Sequence, residues 1–138
     1  MAFHPYLNFG GNCREAFTRY QEIFGGELAL MPMSDMPSDE PVPADQADLI
    51  MHAALQFDGH ILMASDAPPD GFQGVHGMYV NYTVADVAEA ERVFHALAEG
   101  GQVVMPIGET FWSPSFGICV DRFGTPWMVN AEPPQSPA

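Results

Sequence analysis

Between Asn8 and Ala131 the chain states one pattern twice, and a repeat on that scale constrains the fold before any single residue is weighed. In the first half an apolar run, Tyr6-Leu7-Asn8-Phe9, leads into a helix that opens at Asn12 and stops at Gly25-Gly26. A strand over Glu27–Met31 follows, then two strands joined around Asp58-Gly59. In the second half Tyr79–Val84 leads into a helix that opens at Asp86 and stops at Gly100-Gly101. Gln102–Met105 forms the next strand, and two more meet around Asp121-Arg122-Phe123-Gly124. Each half reads βαβββ. The sequence therefore predicts an α+β fold, one domain over residues 1–138, in two modules spanning about 3–66 and 77–131.

The local chemistry behind the pattern is specific. Asn12 and Asp86 carry side chains able to accept from the unpaired N–H groups of a helix start, and Glu15 and Glu89 stand where a capping box needs them. Ala16, Phe17, Tyr20 and Phe24 share one helical face, as do Val87, Ala90, Phe94 and Leu97. Gly25 and Gly100 supply the backbone freedom that ends a helix. Asp58-Gly59 between alternating runs is a hairpin signal. The halves differ mainly in an acidic, proline-rich loop over residues 32–47, which holds Pro32, Pro37, Pro41 and Pro43 and reads as a candidate lid.

Charge and cysteine usage narrow the functional classes. The chain has 138 residues, 47% of them hydrophobic, enough for one real core. Its net charge is −14, with four arginines and no lysine, a surface that repels nucleic acid and anionic membranes. No apolar run reaches bilayer length. Cys13 and Cys119 are too few for a disulfide framework, so a reducing cytoplasm is the expected setting. The tail over 132–138, with three prolines, reads as loose.

Strand alternation sorts the side chains that could line a binding surface. His4, Tyr6 and Asn8 share one face of the first strand, opposite Pro5, Leu7 and Phe9. His52, Ala54 and Gln56 oppose Met51, Ala53, Leu55 and Phe57; Tyr79, Asn81 and Thr83 oppose Val80, Tyr82 and Val84; Met128 and Asn130 oppose Trp127 and Val129. Each strand thus pairs an apolar face, suited to packing on a helix, with a face of mixed polarity. Two such sheets, curved into a cup with the helices outside, would hold a small ligand.

These residues resemble the vicinal oxygen chelate superfamily, which includes glyoxalase I, extradiol dioxygenases and bleomycin- and fosfomycin-resistance proteins, and within it the PhnB-like branch. The resemblance rests on Pro5-Tyr6-Leu7 before Gly11-Asn12, on Phe24-Gly25-Gly26-Glu27, and on Met51-His52-Ala53. It continues through Leu62-Met63-Ala64-Ser65-Asp66, Thr110-Phe111-Trp112, and Asp121-Arg122-Phe123-Gly124 leading to Pro126-Trp127. It covers nearly the whole chain and implies a glyoxalase/bleomycin-resistance-like fold, commonly as a homodimer.

Metal-using members of the superfamily hold a divalent ion (nickel, zinc, manganese or iron) through four strand positions occupied by His or Glu. Carried onto this chain, those positions fall on His4, near His52 with Ala54 as the alternative, on or near Tyr79, and on Met128. Two of the four keep a metal-ligating type, one is a phenol and one a thioether, so the metal site is incomplete. The resemblance leaves two readings. In one, the cup binds a small apolar or aromatic molecule without a complete metal centre, through Tyr6, Asn8, His52, Tyr79, Asn81, Trp112 and Met128. In the other, a divalent ion on His4 and His52 supports a lyase, isomerase or dioxygenase of the glyoxalase type. Met128 favours the first.

Other candidates carry less. His60, His76 and His95 read as surface residues, and Glu109 as a solvated acid beside an aromatic loop. Cys13 stands at a helix N-terminus, where the dipole lowers a thiol pKa, but no partner base accompanies it. No glycine-rich phosphate loop or Rossmann pattern occurs. The methyltransferase label that relatives of this branch have carried therefore finds no cofactor motif, and catalytic residues are left unassigned.

Overall fold

In a computed structural model, described here over residues 1–35, 42–68 and 71–133, the repeat resolves into two units, 1–74 and 75–138. The first runs β1 (Tyr6–Phe9), α1 (Cys13–Phe24), β2 (Glu27–Pro32), a single 3-10 turn (Met33–Asp35), β3 (Ile50–Phe57) and β4 (His60–Asp66). The second runs β5 (Val80–Val84), α2 (Val87–Ala98), β6 (Gln102–Gly108), β7 (Ser115–Val120) and β8 (Pro126–Ala131). Each forms a four-stranded mixed sheet, in the orders β1-β4-β3-β2 and β5-β8-β7-β6. The outer pairs β1/β4 and β5/β8 are parallel, and the rest are antiparallel.

One face of each sheet is covered by its helix. In the first unit Phe9 meets Phe17 edge-on with ring centroids 6.1 Å apart, and Phe57 stacks on Phe24 at 5.3 Å. Leu7, Ala53, Leu55, Leu62 and Ala64 fill the space beside them. In the second, Trp127, Val129, Ala131 and Cys119 are buried with Ala90, Val93, Phe94 and Leu97 of α2. Gly117 lets α2 lie close: a Cβ there would stand 2.8 Å from the Phe94 ring. The alternation read from the sequence sorts these buried faces on β1, β5 and β8, and on β3 from His52 onward. Met51, expected on the helix side, is only half-buried while Ile50 is fully buried, because the register shifts where Pro32 pairs with Ile50.

The helix-ending glycine pairs play the same two roles in both units. The first glycine takes positive φ, 78° at Gly25 and 76° at Gly100. The second presses against the neighbouring strand, where a Cβ would collide with the carbonyl oxygen of Gln56 at Gly26 or of Val120 at Gly101. Asp58 and Gly59, both at positive φ, form the expected two-residue hairpin between Phe57 and His60.

Three local expectations need correction. Asn12 makes no side-chain cap on α1; the Asp66 carboxylate, at the end of β4, accepts from Gly11 and Cys13 N–H instead, each at 3.0 Å. Asp86 does cap α2, accepting from Ala88 N–H at 3.2 Å, but Glu89 pairs with Arg92 rather than closing a capping box. β6 runs on through Pro106 to Gly108 with two register shifts, which an edge strand tolerates because its outward N–H groups have no ladder partner. In the long loop, residues 36–41 lie outside the described residues, as do 134–138 of the tail. The loop's flanks are tied together, Met33 N–H to Leu49 C=O at 2.8 Å and Ser34 N–H to Ala47 C=O at 3.1 Å.

Candidate functional site

The face of each sheet turned away from its helix carries the residues of mixed polarity. In the first unit one row crosses all four strands: Tyr6 beside Met63, Met63 beside Ala54, Ala54 beside Ala29. The next row holds Asn8 beside Ser65, whose hydroxyl donates to Asn8 Oδ1 at 3.2 Å, and His52 beside Met31. The Tyr6 and His52 rings lie 6.0 Å apart, tilted by 32°. Tyr6, Asn8 and His52 thus share one surface, half apolar and half hydrogen-bonding. His4 precedes β1 and is exposed.

In the second unit the open face is more aromatic. One row runs Asn81, Met128, Ile118, Met105, and the next runs Thr83, Asn130, Phe116, Gly108. Asn81 donates from its amide to Thr83 Oγ1 at 3.0 Å. Trp112 packs edge-on against Phe116 at 5.3 Å and against Phe111 at 4.7 Å. Tyr79, just before β5, is exposed.

The aromatic pair is held rather than merely attached. Thr110 N–H donates to Ser113 C=O at 2.9 Å, and Ser113 N–H donates to Thr110 Oγ1 at 3.1 Å, closing a tight turn with Phe111 and Trp112 at its corners. Buried Ser113 then donates from Oγ to the carbonyl of Ala131 at 2.6 Å, which pins the turn to the end of β8. The turn keeps Trp112 45% exposed and Phe111 97% exposed. Exposing large aromatic side chains to water costs apolar hydration, a cost that a bound ring would offset. The sequence marked Thr110-Phe111-Trp112 as a loop; the Ser113 pin, 18 residues from its acceptor, had no local signal.

Asn130 is a residue that the sequence placed on the open face but gave no contact to make. Its Oδ1 is buried and has no hydrogen-bond partner among the described residues. A buried acceptor left in this state costs about 1–3 kcal/mol. Only the three-dimensional satisfaction of the amide reveals it, because Asn at an open-face strand position looks ordinary in sequence.

The remaining chemistry is structural. Asp121 is buried and accepts three hydrogen bonds, from Phe123 N–H at 2.9 Å, Thr125 N–H at 3.0 Å and the Trp127 indole N–H at 2.9 Å. The Asp121-Arg122-Phe123-Gly124 motif thus braces a hairpin. Cys13 departs from expectation: burial, with the Asp66 carboxylate adding to it, pushes its thiol up to about 12. Cys119 is pushed up to about 11, by burial and by Asp121. Both thiols are free and buried. His60, His76, His95 and Glu109 are exposed.

The positions carried over for a metal do not supply a fitting donor set. His4 and His52 come from the first unit, and the second offers the Tyr79 phenol and the Met128 thioether, whose row neighbours are Asn81 and Ile118. A thioether is a soft ligand, unsuited to the oxygen- and nitrogen-preferring divalent ions of this superfamily. Among the described residues no three His, Cys, Asp or Glu side chains come together to hold an ion.

Two mixed four-stranded sheets, each backed by one helix in a repeated βαβββ order, define the glyoxalase/bleomycin-resistance fold of the vicinal oxygen chelate superfamily, a fold shared with glyoxalase-related proteins of known structure. The chain belongs to the PhnB-like branch, in the family described as 3-demethylubiquinone-9 3-methyltransferase, whose profile matches residues 1–130. It is 37% identical to Protein YjdN of Escherichia coli K12 over 94% of this chain and 95% of that one. The crystal structure of protein PA1353 from Pseudomonas aeruginosa is 51% identical, with a TM-score of 0.88 over 96% of this chain and 98% of that one. A putative 3-demethylubiquinone-9 3-methyltransferase, PhnB protein, from Bacillus cereus is 26% identical, with a TM-score of 0.76 over 95% and 99% of the two chains.

Proposed function

We propose that this glyoxalase-like protein binds a small, largely apolar or aromatic organic molecule on the open faces of its sheets, without a complete family-type metal centre. The observation that carries the reading is the pinned Trp112 beside Phe116, on a face whose other strand residues are Asn81, Thr83, Met105, Ile118, Met128 and Asn130. That face offers stacking, thioether and amide contacts but no carboxylate or imidazole to ligate an ion. Tyr6, Asn8 and His52 give the first unit's face a second set of ring and hydrogen-bonding contacts.

The family's description names methyl transfer. Each sheet here is mixed and carries a helix on one face only, unlike the doubly wound parallel sheet that seats a nucleotide-type cofactor at a glycine-rich turn. Binding is therefore preferred to methyl transfer. The −14 charge weighs against polyanionic partners, and two free cysteines suit a reducing cytoplasm. A homodimer with isologous contacts is in keeping with the family.

One observation favours a second reading. His52 lies on the open face next to an aromatic ring, and with His4 it could help hold a divalent ion serving a lyase, isomerase or dioxygenase.

A thermal-shift screen of small aromatic and aliphatic compounds, run on the wild type and on Trp112→Ala, tests the preferred reading. Aromatic compounds should raise the wild-type Tm, and the variant should lose about five- to 150-fold in affinity for them, in line with about 1–3 kcal/mol for removing a stacking partner. A hit that binds the variant as tightly as the wild type would remove the second unit's face from the site.

A further inference from the structure

Asn130 sits part-buried on the open face of the second sheet, beside the largely buried Phe116 ring. Its row partners are Thr83 on one side and Phe116 on the other, and beyond Phe116 the row ends at Gly108. A Cβ at Gly108 would meet nothing within 4 Å, so the row ends in open space beside the Phe116 ring. Trp112 borders the same ring, fixed there by the Thr110–Ser113 turn and its bond to Ala131. An aromatic wall and an amide thus stand on neighbouring strands, about 5 Å apart as cross-strand pairs are.

The amide differs from the other open-face asparagines, though Ser115 Oγ on the adjoining β7 is likewise buried without a partner among the described residues. Asn8 accepts from Ser65 and Asn81 donates to Thr83, but the buried Oδ1 of Asn130 receives no donor among the described residues. Native proteins rarely leave such an oxygen unpaired, and the exceptions ask for a cause. The residue as a whole is only half-buried, and the terminal torsion of an Asn amide is broad and nearly two-fold. A half turn about that bond exchanges oxygen for nitrogen with almost no change in volume, so the acceptor can be brought to the open face.

From this juxtaposition we propose that Asn130 is the specificity-determining polar contact of the ligand site. It selects planar aromatic molecules that carry an N–H or O–H donor on the ring edge. The ring rests against Trp112 and Phe116 while the donor satisfies Asn130 Oδ1. This rests on the small-molecule-binding reading above and gives it a chemical class.

A matched probe pair tests the two separately. Indole and 1-methylindole have the same aromatic face and differ in the ring N–H. Their Kd values would be measured by NMR titration on the wild type, Asn130→Leu and Asn130→Asp, with the folded state of each variant checked from its amide spectrum. Indole should bind the wild type about three- to tenfold more tightly than 1-methylindole, the range one hydrogen bond supplies. Asn130→Leu should bind both probes equally, and Asn130→Asp, which keeps an acceptor, should keep the preference. Equal binding of both probes by the wild type, or a preference that survives in Asn130→Leu, overturns the inference and leaves the binding reading standing. Failure of both probes to bind the wild type overturns both.

Discussion

Each unit is braced by one carboxylate that accepts three hydrogen bonds, yet the two carboxylates work over opposite distances. Asp121 reaches only two, four and six residues along the chain, to Phe123, Thr125 and Trp127. Asp66 gathers N–H groups from Gly11 and Cys13, 55 and 53 residues away, and from Ile50 at 2.8 Å, 16 residues away. The second unit therefore braces itself locally, through a hairpin that clamps its own tryptophan and a helix capped by the adjacent Asp86. The first needs β4 in place before the start of α1 is satisfied. One repeated fold can fix its helix start from inside the helix or from the far end of the sheet.

Removing the carboxylates should separate the two arrangements. Asp121 is the more buried, and Asp121→Ala would strand an indole N–H and two amide N–H groups, an expected loss of about 4 kcal/mol in urea unfolding. Asp66→Ala exposes its donors partly to water and should cost less, about 2–3 kcal/mol. A larger loss from Asp66 would mean that the long-range brace is the dominant one.

A smaller difference is expected at the helix starts. Asp86→Ala removes a working cap and should cost about 1 kcal/mol. Asn12→Ala, at the matching place in the first unit, removes no cap and should leave stability within about 0.5 kcal/mol of wild type. Equal losses at the two positions would erase the contrast.

The thiols give the smallest effect. Unfolded cysteines ionise near 9.0, whereas folding raises Cys13 to about 12 and Cys119 to about 11. The folded state holds these protons longer, so the thiols leave stability unchanged below pH 9 and erode it as pH climbs from 9 through 11 and 12. Alkylation of the native protein should stay slow at pH 8 and become fast only in denaturant. Rapid native labelling of Cys13 would show that the helix dipole prevails over burial.

Much of the fold was legible because its signals are local. Alternation on β1, β5, β8 and the run of β3 from His52 onward assigned each side chain to the helix side or the open side, and the glycine pairs marked both helix ends. Met51 and Ile50 escaped it at the register shift opposite Pro32. What escaped depends on contacts between distant residues. Asn12 has the chemistry of a cap but loses the position to Asp66, which no window of sequence places nearby. At the site, Tyr6, Asn8 and His52 fall on one face of the first sheet, and Asn81 and Met128 on one face of the second, as the period-two pattern required. The Ser113 pin and the unpaired Asn130 Oδ1 stayed hidden, because whether a polar group is satisfied is a property of the packed structure alone.

The most direct test of a binding site without a family-type metal centre is metal stoichiometry. Protein stripped with chelator would be offered nickel, zinc, manganese and iron(II), then analysed for bound metal beside the His4→Ala/His52→Ala double variant. The donor set described here leads to no binding above that of the variant for any of the four ions. One equivalent of metal bound by the wild type and lost in the double variant would contradict it and establish the metal-dependent reading in its place.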